Sequence, residues 1–459
     1  MNMATSGQSI VTVIGTGYVG LTTAVLLAQA GHKVYALDIN KDRLKVIKSG
    51  KSFFYEEGLD PLVKSAVDTG TLIPTDSYEN SIPHSDVIFS SVGTPDNPDG
   101  SSNLSYVFAS AEQAGALMKS GAIYVQKSTV PVGTGKKIEA VFKPLNKNIQ
   151  YVSNPEFLRE GTALSDSLYF DRIVVGGQHP NANQTIIEIY KNIEKNRDNI
   201  AKSAGIAQKK TEGSYISTSL NSAELIKVTS NAFLALKISF ANSIAKLADE
   251  VDADVNDIMD AVGADKRIGR AFLNAGRGYG GGCFPKDVSG LISSASEYGV
   301  DLGIMTAAAE LNETMPGYIA SKAQKALGSL DGKRVAVLGL AFKAGTSDAR
   351  KSPGVKLANI LSKEGADVYT YDPHANSEAK EDLRSAVIVT SSIDKAVENT
   401  DAVFVATDWP EFINMDISQI KKGMSGSLFV DCMNVYSMHD IENTGLVYTG
   451  IGRHGNNKT

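Results

Sequence analysis

Cys283 stands in the run Gly-Tyr-Gly-Gly-Gly-Cys-Phe-Pro-Lys-Asp at 278–287, and far upstream the chain carries Gly15-Thr-Gly-Tyr-Val-Gly20. Gly15, Gly17 and Gly20 at this spacing permit a tight turn, close backbone approach to a pyrophosphate and close packing of a helix on a strand. The helix that follows would aim unpaired N–H groups at the phosphates. Asp38 closes the next apolar run, where a carboxylate can accept from ribose hydroxyls. It would repel a 2′-phosphate and no Arg follows it directly, so the pattern fits NAD rather than NADP. Such a dinucleotide removes a hydride without help from a thiol. A thiolate beside it changes the outcome: attack on the aldehyde first formed gives an adduct that can lose a second hydride, which carries an alcohol to an acid.

Cys283 follows Gly278, Gly280, Gly281 and Gly282 and precedes a predicted helix with Pro285 in its first turn. A helix N-terminus stabilises a thiolate, and the glycines let the backbone fold closely around a ligand. The plain alternative is a buried structural cysteine, which suits Cys432 inside Leu428-Phe-Val-Asp-Cys432 better than it suits Cys283. Lys227 and Asn231, four apart, share one face of a helix and together could stabilise an oxyanion. From spacing alone a solvated helix face is the better-supported reading of that pair. Asn154-Pro-Glu-Phe-Leu-Arg-Glu-Gly161 offers Glu156 and Glu160 for proton transfer, with a solvated loop as the alternative. Lys127-Ser-Thr-Val-Pro-Val-Gly-Thr134 follows a strand end, the place where open α/β sheets bind ligands.

The elements that must hold these residues follow from periodicity. Val11-Thr-Val-Ile14, then 21–30 as a helix ended by Gly31, then Lys33-Val-Tyr-Ala-Leu-Asp38 make a βαβ unit with a parallel sheet. Further strands are expected at 86–92, 123–127, 150–153 and 172–176. The pattern returns near the C-terminal end: 334–340 resembles the opening strand, 365–372 repeats the spacing of 31–38, and 401–410 echoes 86–95. The second copy lacks the full glycine fingerprint. Between the copies a helix is expected from about Asn221, with Asn221 and Glu224 at capping-box spacing. Phe233, Phe240, Ile244, Leu247 and Val251 form its apolar stripe. The polar segment 195–220 reads as an exposed connection.

A chain of 459 residues suggests about three domains. With 42% hydrophobic and 21% charged residues and a net charge of −6, nothing favours nucleic acid or an anionic membrane as partner. No apolar run approaches the roughly 18 residues of a membrane span. The opening Met-Asn-Met-Ala-Thr-Ser-Gly-Gln-Ser lacks the regions of a signal peptide. Two cysteines are too few for a disulfide framework, which points to a reducing cytoplasm. Six scattered His residues without metal-ligand spacing argue against a metal site.

The chain resembles the UDP-glucose/GDP-mannose dehydrogenases from about Ile10 to Arg453. The motifs that carry the resemblance are 15–20, Val92-Gly-Thr-Pro95, 127–134, 154–161, Ala223-Glu-Leu-Ile-Lys227 through Phe233, 278–287 and Gly339-Leu-Ala-Phe-Lys343. The resemblance implies an α/β protein of two Rossmann-like, doubly wound domains joined by a long central helical segment. Residues 1–215 would bind NAD, 216–325 would form the dimerisation segment with the cysteine loop, and 326–459 would bind the nucleotide sugar. It implies a homodimer that oxidises UDP-glucose to UDP-glucuronate with two NAD, through a thiohemiacetal and a thioester on Cys283. Lys227 and Asn231 would stabilise oxyanions, Asp287 and Thr129 would hold a water, and Glu156 would act as acid/base in thioester hydrolysis. Cofactor contacts would, on this resemblance, fall on Gly15, Gly17, Tyr18, Val19, Gly20, Asp38, Arg43, Gly93, Thr94, Thr129 and Glu160. Substrate contacts would fall on Glu156, Phe157, Leu158, Arg159, Glu160, Lys227, Asn231, Phe272, Gly278, Tyr279, Cys283, Phe342 and Lys343, and Arg267 would reach the partner subunit's substrate.

Four positions depart from the family pattern. Met433, in Asp431-Cys-Met-Asn434, stands where an Arg is expected; Lys351 replaces a common Glu, Ser243 a Glu, and Gly282 a Ser. Loss of a charge-assisted contact of roughly 1.5–3 kcal/mol would weaken binding about tenfold or more. It equally suits another nucleotide sugar, such as GDP-mannose or a UDP-hexose variant. The Gly-Gly-x-Cys-Phe-Pro-Lys-Asp loop favours UDP-glucose over UDP-N-acetylmannosamine. A two-electron alcohol dehydrogenase with a structural Cys283, or a binding protein without turnover, are the readings from other classes. The intact set Cys283, Lys227, Asn231 and Asp287 argues against both.

Overall fold

The computed structural model describes residues 8–455. Residues 1–7, which make up most of the opening segment expected to lack a signal peptide, lie outside the described residues. The chain forms two compact units that divide between Thr229 and Ser230.

Among the described residues of the first unit, eight strands form one sheet: β1 (Ile10–Ile14), β2 (Lys33–Leu37), β3 (Leu72–Thr75), β4 (Val87–Ser90), β5 (Ile123–Gln126), β6 (Gln150–Ser153), β7 (Arg172–Gly177) and β8 (Ser214–Thr218). Their order is β3-β2-β1-β4-β5-β6-β7-β8. All neighbours are parallel except β6 and β7, where Val152 faces Gly177. The reversal of order at β1 and β4 opens a crevice at the strands' carboxyl ends, the usual ligand site of such sheets. β1 and β4 read as short apolar runs because the sheet is covered on both faces. The helix Tyr18–Gln29 is buried from Gly20 to Ala28, which explains a sequence apolar nearly all round. It packs in one core with the strands and with the helix Pro180–Ala204.

That last helix corrects one expectation. The polar segment 195–220 is helical to Ala204 and then supplies the edge strand β8, whose residues are exposed or half-buried. An edge strand with a wet face needs no apolar alternation.

The second unit carries β9 (Arg334–Leu338), β10 (Asp367–Tyr371), β11 (Ile388–Val389), β12 (Ala402–Val405), β13 (Leu428–Asp431) and β14 (Val447–Thr449) in one parallel sheet. The order is β11-β10-β9-β12-β13-β14. The repeat seen in the sequence is thus a repeat of topology: β9, β10 and β12 take the places that β1, β2 and β4 take in the first sheet.

The long helix Leu220–Val251 runs across the division. Its N-terminal cap differs from the expected one: Ser219 Oγ accepts from Ser222 N, while Glu224 reaches elsewhere. The expected stripe divides. Ile244 packs into the core of the second unit, whereas Phe233, Phe240, Leu247 and Val251 are exposed.

Candidate active site

In the first unit the glycine turn follows β1. Gly15 has φ +86°, and its N–H donates to Leu37 O at 2.8 Å. A Cβ on Gly20 would lie 1.8 Å from Gly15 O, so turn and helix approach only because residue 20 is glycine. Gly17 caps the helix without a side-chain hydrogen bond, and a Cβ on Gly17 or on Gly93 would meet nothing within 4 Å. The turn therefore leaves room for a ligand where the helix N-terminus favours an anion. Asp38 ends β2: its Oδ2 accepts from Thr16 N at 2.7 Å and Thr16 Oγ1 at 2.6 Å, and its Oδ1 from Asn40 N at 2.8 Å. Arg43 Nη1 lies 3.8 Å from the same carboxylate, with its guanidinium over Phe53. Tyr18, beside Phe54, and Val19 form the first turn of the helix, and Thr94 follows Gly93 as a buried residue. A tight turn, an uncapped N-terminus and an acid at the second strand fit NAD.

The loop after β6 carries the carboxylates. Buried Asn154 anchors it, donating to Val174 O at 2.8 Å and accepting from Tyr190 Oη at 2.6 Å. Glu156 Oε1 lies 4.0 Å from Lys227 Nζ, with side chains 11% and 7% exposed. Burial pushes the Glu156 carboxyl above its ordinary range, opposed by the charges of Lys227 and Lys127. The Phe157 ring receives the Arg172 guanidinium at 4.0 Å and Lys227 Nζ at 5.3 Å. Leu158 N donates to Glu156 Oε2 at 3.1 Å. Arg159 is held by Asp166 through three hydrogen bonds, two from its guanidinium and one from its backbone N–H, and Glu160 is half-buried beyond it. Glu156 and Glu160 lie on a loop, so four residues of separation do not place them on one face. Thr129 is half-buried after β5.

One residue escaped sequence reasoning. Glu224, read as half of a capping box, accepts from Gly133 N and Gly135 N, both at 2.7 Å, where the helix Thr134–Phe142 begins. It pins the long helix one turn before Lys227. Its apolar neighbours and helical spacing gave no hint of that distant target.

In the second unit Cys283 is the N-cap residue of the helix Phe284–Glu297 and is exposed, while Cys432 is buried. Asp287, in the first turn, is buried; its N–H donates to Cys283 O at 2.8 Å. Asn231 Nδ2 donates to Asp287 Oδ2 at 2.6 Å, and Lys286 Nζ lies 2.9 Å from Oδ1. Asn231 and Asp287 are thus paired through their side chains in the first turn of the helix that Cys283 caps.

Two of the glycines before Cys283 pack closely against protein. A Cβ on Gly280 would come 2.5 Å from Lys351 O, and one on Gly281 2.8 Å from the Phe342 ring. They let the loop lie against protein, on the segments that follow β9 and that begin the helix Pro353–Lys363. Asn312 clasps the Tyr279 backbone, accepting from its N–H at 2.8 Å and donating to its carbonyl at 3.0 Å, beside Gly278. Phe272 holds φ +66°, with its ring 6.2 Å from that of Phe284. Arg267 is exposed and paired with its neighbour Asp265.

The second sheet repeats the fold but closes the equivalent of the Asp38 site. Buried Asp372, at the end of β10, accepts from Leu340 N at 2.8 Å, Ala341 N at 2.9 Å, His374 N at 2.9 Å, Ala375 N at 2.8 Å and Trp409 Nε1 at 3.1 Å. Five protein donors thus share a carboxylate that is fully buried. The segment it holds leads to Phe342 and Lys343, whose ammonium lies 5.7 Å over the Phe342 ring. Half-buried Met433 follows β13, its N–H donating to Asp431 at 3.2 Å. Among the described residues no His, Cys, Asp and Glu cluster could hold a metal, and no helix is long and apolar enough to cross a membrane.

Comparison with known proteins agrees with this geometry. Residues 9–194 match the NAD-binding domain of the UDP-glucose/GDP-mannose dehydrogenase family, 221–314 its central domain and 336–438 its UDP-binding domain. UDP-glucose 6-dehydrogenase TuaD of Bacillus subtilis is 38% identical over 446 residues, which is 96% of this chain and 93% of that one. UDP-glucose 6-dehydrogenase of Rhizobium meliloti is 37% identical over 449 residues, 96% and 99% of the two chains. A UDP-glucose dehydrogenase structure from Pyrobaculum islandicum superposes with a TM-score of 0.88 at 34% identity, covering 99% of this chain and 100% of that one. With three family domains in order and near full-length relatives, the chain belongs to the UDP-glucose/GDP-mannose dehydrogenase family, as an NAD-dependent oxidoreductase.

Proposed function

We propose that the protein oxidises UDP-glucose to UDP-glucuronate in two successive steps, with Cys283 as the covalent nucleophile. The observation that carries this reading is an exposed thiol at the N-cap of a helix whose first turn carries Asp287, the hydrogen-bond partner of Asn231, while the other cysteine is buried. The relatives named UDP-glucose 6-dehydrogenase support the sugar nucleotide, and the match to a UDP-binding domain supports the nucleotide.

Bound NAD supplies the hydride acceptor, one molecule for each oxidation. Cys283 adds as thiolate to the C6 aldehyde, forming the S–C bond of a thiohemiacetal. Loss of the second hydride from that carbon leaves a thioester, and water cleaves the S–C bond to release the carboxylate and the thiol. The balance is UDP-glucose, two NAD and one water giving UDP-glucuronate, two NADH and three protons. Lys227 and Asn231 stabilise the oxygen as negative charge develops. Glu156, whose buried carboxyl holds its proton more tightly than an ordinary one, serves as acid/base in hydrolysis. Asp287 and Thr129 hold the water. Lys343 and Phe342 receive the nucleotide end, with Phe272, Gly278 and Tyr279 beside the sugar.

The division of labour in this reading is NAD on 1–215, the dimer contact and cysteine loop on 216–325, and the nucleotide sugar on 326–459. The exposed row Phe233, Phe240, Leu247 and Val251 is the surface that a second copy would cover, and Arg267 would serve the partner's site. Sedimentation of the wild type and of Phe240→Glu checks this, since a monomeric wild type ends that part of the proposal. Two cysteines that form no disulfide fit a reducing cytoplasm.

The test is NADH formed per sugar with limiting UDP-glucose and excess NAD. Two NADH with UDP-glucuronate as product is the expected result; one NADH with aldehyde accumulating overturns the covalent mechanism. Met433 favours the second reading, the same chemistry on another nucleotide sugar, which no turnover of UDP-glucose would bring forward.

A further inference from the structure

Arg277, 2% exposed, is among the largest fully buried side chains, six residues before Cys283. It forms no ion pair among the described residues. Nη2 donates to Ala341 O at 3.1 Å and Phe342 O at 2.8 Å, Nη1 reaches Ser352 Oγ at 3.4 Å, and Nε is buried without a hydrogen-bond partner. Its backbone N–H donates to Cys432 O at 2.9 Å. Burial depresses its guanidinium to about 10, while Asp408 and Asp372 attract the charge from a distance.

A buried guanidinium without a carboxylate is costly, and an apolar side chain of similar volume would fill the space without that cost. What only the guanidinium adds is donors for two carbonyls of a distant segment. Segment 340–342 is consequently held from both sides, its N–H groups by the Asp372 carboxylate and its C=O groups by Arg277. From Arg277 the chain continues through the Asn312 clasp at Tyr279 and the bond from Gly281 N to Arg350 O at 2.9 Å, then reaches Cys283.

We infer that Arg277 is a positioning residue that locks the Cys283 loop to the segment presenting Lys343, so that the thiol and the nucleotide-facing lysine belong to one rigid frame. The inference rests on the proposed roles of Cys283 and Lys343 for its functional meaning, but its physical content is read without substrate.

The full-length Arg277→Met and Arg277→Lys proteins test it by iodoacetamide alkylation of Cys283 and amide exchange at 278–283 and 340–343, both without nucleotide. Buried Cys432 serves as the internal control. In Arg277→Met the alkylation rate is expected to change severalfold, exchange to rise in both segments together, and kcat with UDP-glucose to fall on the order of tenfold or more, as misplacement of a reacting group does. The KM for NAD is expected to stay at the wild-type value. Arg277→Lys, which keeps charge and an N–H donor, is expected to recover most of the alkylation behaviour. Unchanged alkylation in a folded Arg277→Met, or exchange rising evenly through the second sheet, overturns the inference. Where Arg277→Met does not fold, Arg277→Lys decides: a change in one segment without the other also overturns it. Absence of wild-type turnover with UDP-glucose would sink the proposed function instead and leave these two readouts intact.

Discussion

Asn231 Nδ2 donates to Asp287 Oδ2 at 2.6 Å, and the other oxygen of that carboxylate lies 2.9 Å from Lys286 Nζ. The carboxylate therefore orients the amide of Asn231 and one ammonium at the base of the Cys283 helix. Asp287→Asn keeps the volume and removes the charge that holds both donors. Its kcat is expected to fall on the order of 10²-fold with a smaller change in KM, because a group set for the transition state is misplaced. Asp287→Ala should fall further and lose about 1–3 kcal/mol of stability, since the buried Asn231 amide loses its acceptor. Steady-state NADH production and thermal melting check both. An Asp287→Asn enzyme at the wild-type rate would remove the carboxylate from the chemistry.

Cys283→Ser leaves the helix cap and the loop packing in place but exchanges a thiol for a poor nucleophile. Acid formation is expected to fall below detection, while a first oxidation to the aldehyde is retained at a reduced rate. Product analysis by mass spectrometry distinguishes the two steps. Full UDP-glucuronate production by the variant would reduce Cys283 to a structural residue.

Much of this was legible because it is local. The glycine turn, Asp38 and the cysteine loop each lie within a few residues of sequence, and β1, β2 and β4 with their repeats β9, β10 and β12 are short apolar runs. What escaped detection was non-local or at an edge. β3 contains Pro74 and β8 is polar, and both are tolerated because they are edge strands with one unpaired side. Glu224 was assigned to its own helix because three-residue spacing suggests a capping box, whereas its partners lie about 90 residues upstream, at Gly133 and Gly135. The closed state of the second Rossmann-like copy was invisible too: Asp372 repeats the spacing of Asp38, and only the fold brings Trp409 onto it.

Glu156 is expected to act late. With its carboxyl raised by burial and only partly offset by Lys227 and Lys127, it can hold a proton at a pH where an exposed Glu has lost it. Glu156→Gln should leave thiol addition possible and slow hydrolysis on the order of 10²-fold. The consequence is an accumulated Cys283 adduct with the mass of the oxidised nucleotide sugar, visible in the intact protein and absent from Cys283→Ser. A variant that is slow yet carries no adduct would assign Glu156 to an earlier step.

Glu224 makes the stability of the first unit depend on pH. Its folded-state pKa is raised to about 7 from an ordinary 4.5, chiefly by burial, which outweighs the two N–H donors at Gly133 and Gly135. Between these values the native state keeps a proton that the unfolded chain has released. By linkage the contribution is fully present below pH 4.5 and is lost as pH rises through about 7. The size is roughly 2–4 kcal/mol at about 1.4 kcal/mol per pH unit. Glu224→Gln cannot titrate, so the difference in melting temperature between variant and wild type should change in favour of the variant from pH 4.5 to 8. Other raised carboxyls, such as Asp431, titrate in both proteins and cancel in the difference. A pH-independent difference would mean that the Gly133 and Gly135 donors keep Glu224 ionised throughout. In that case the long helix is pinned ahead of Lys227 by a permanent charge, and its hold on the helix does not weaken at neutral pH.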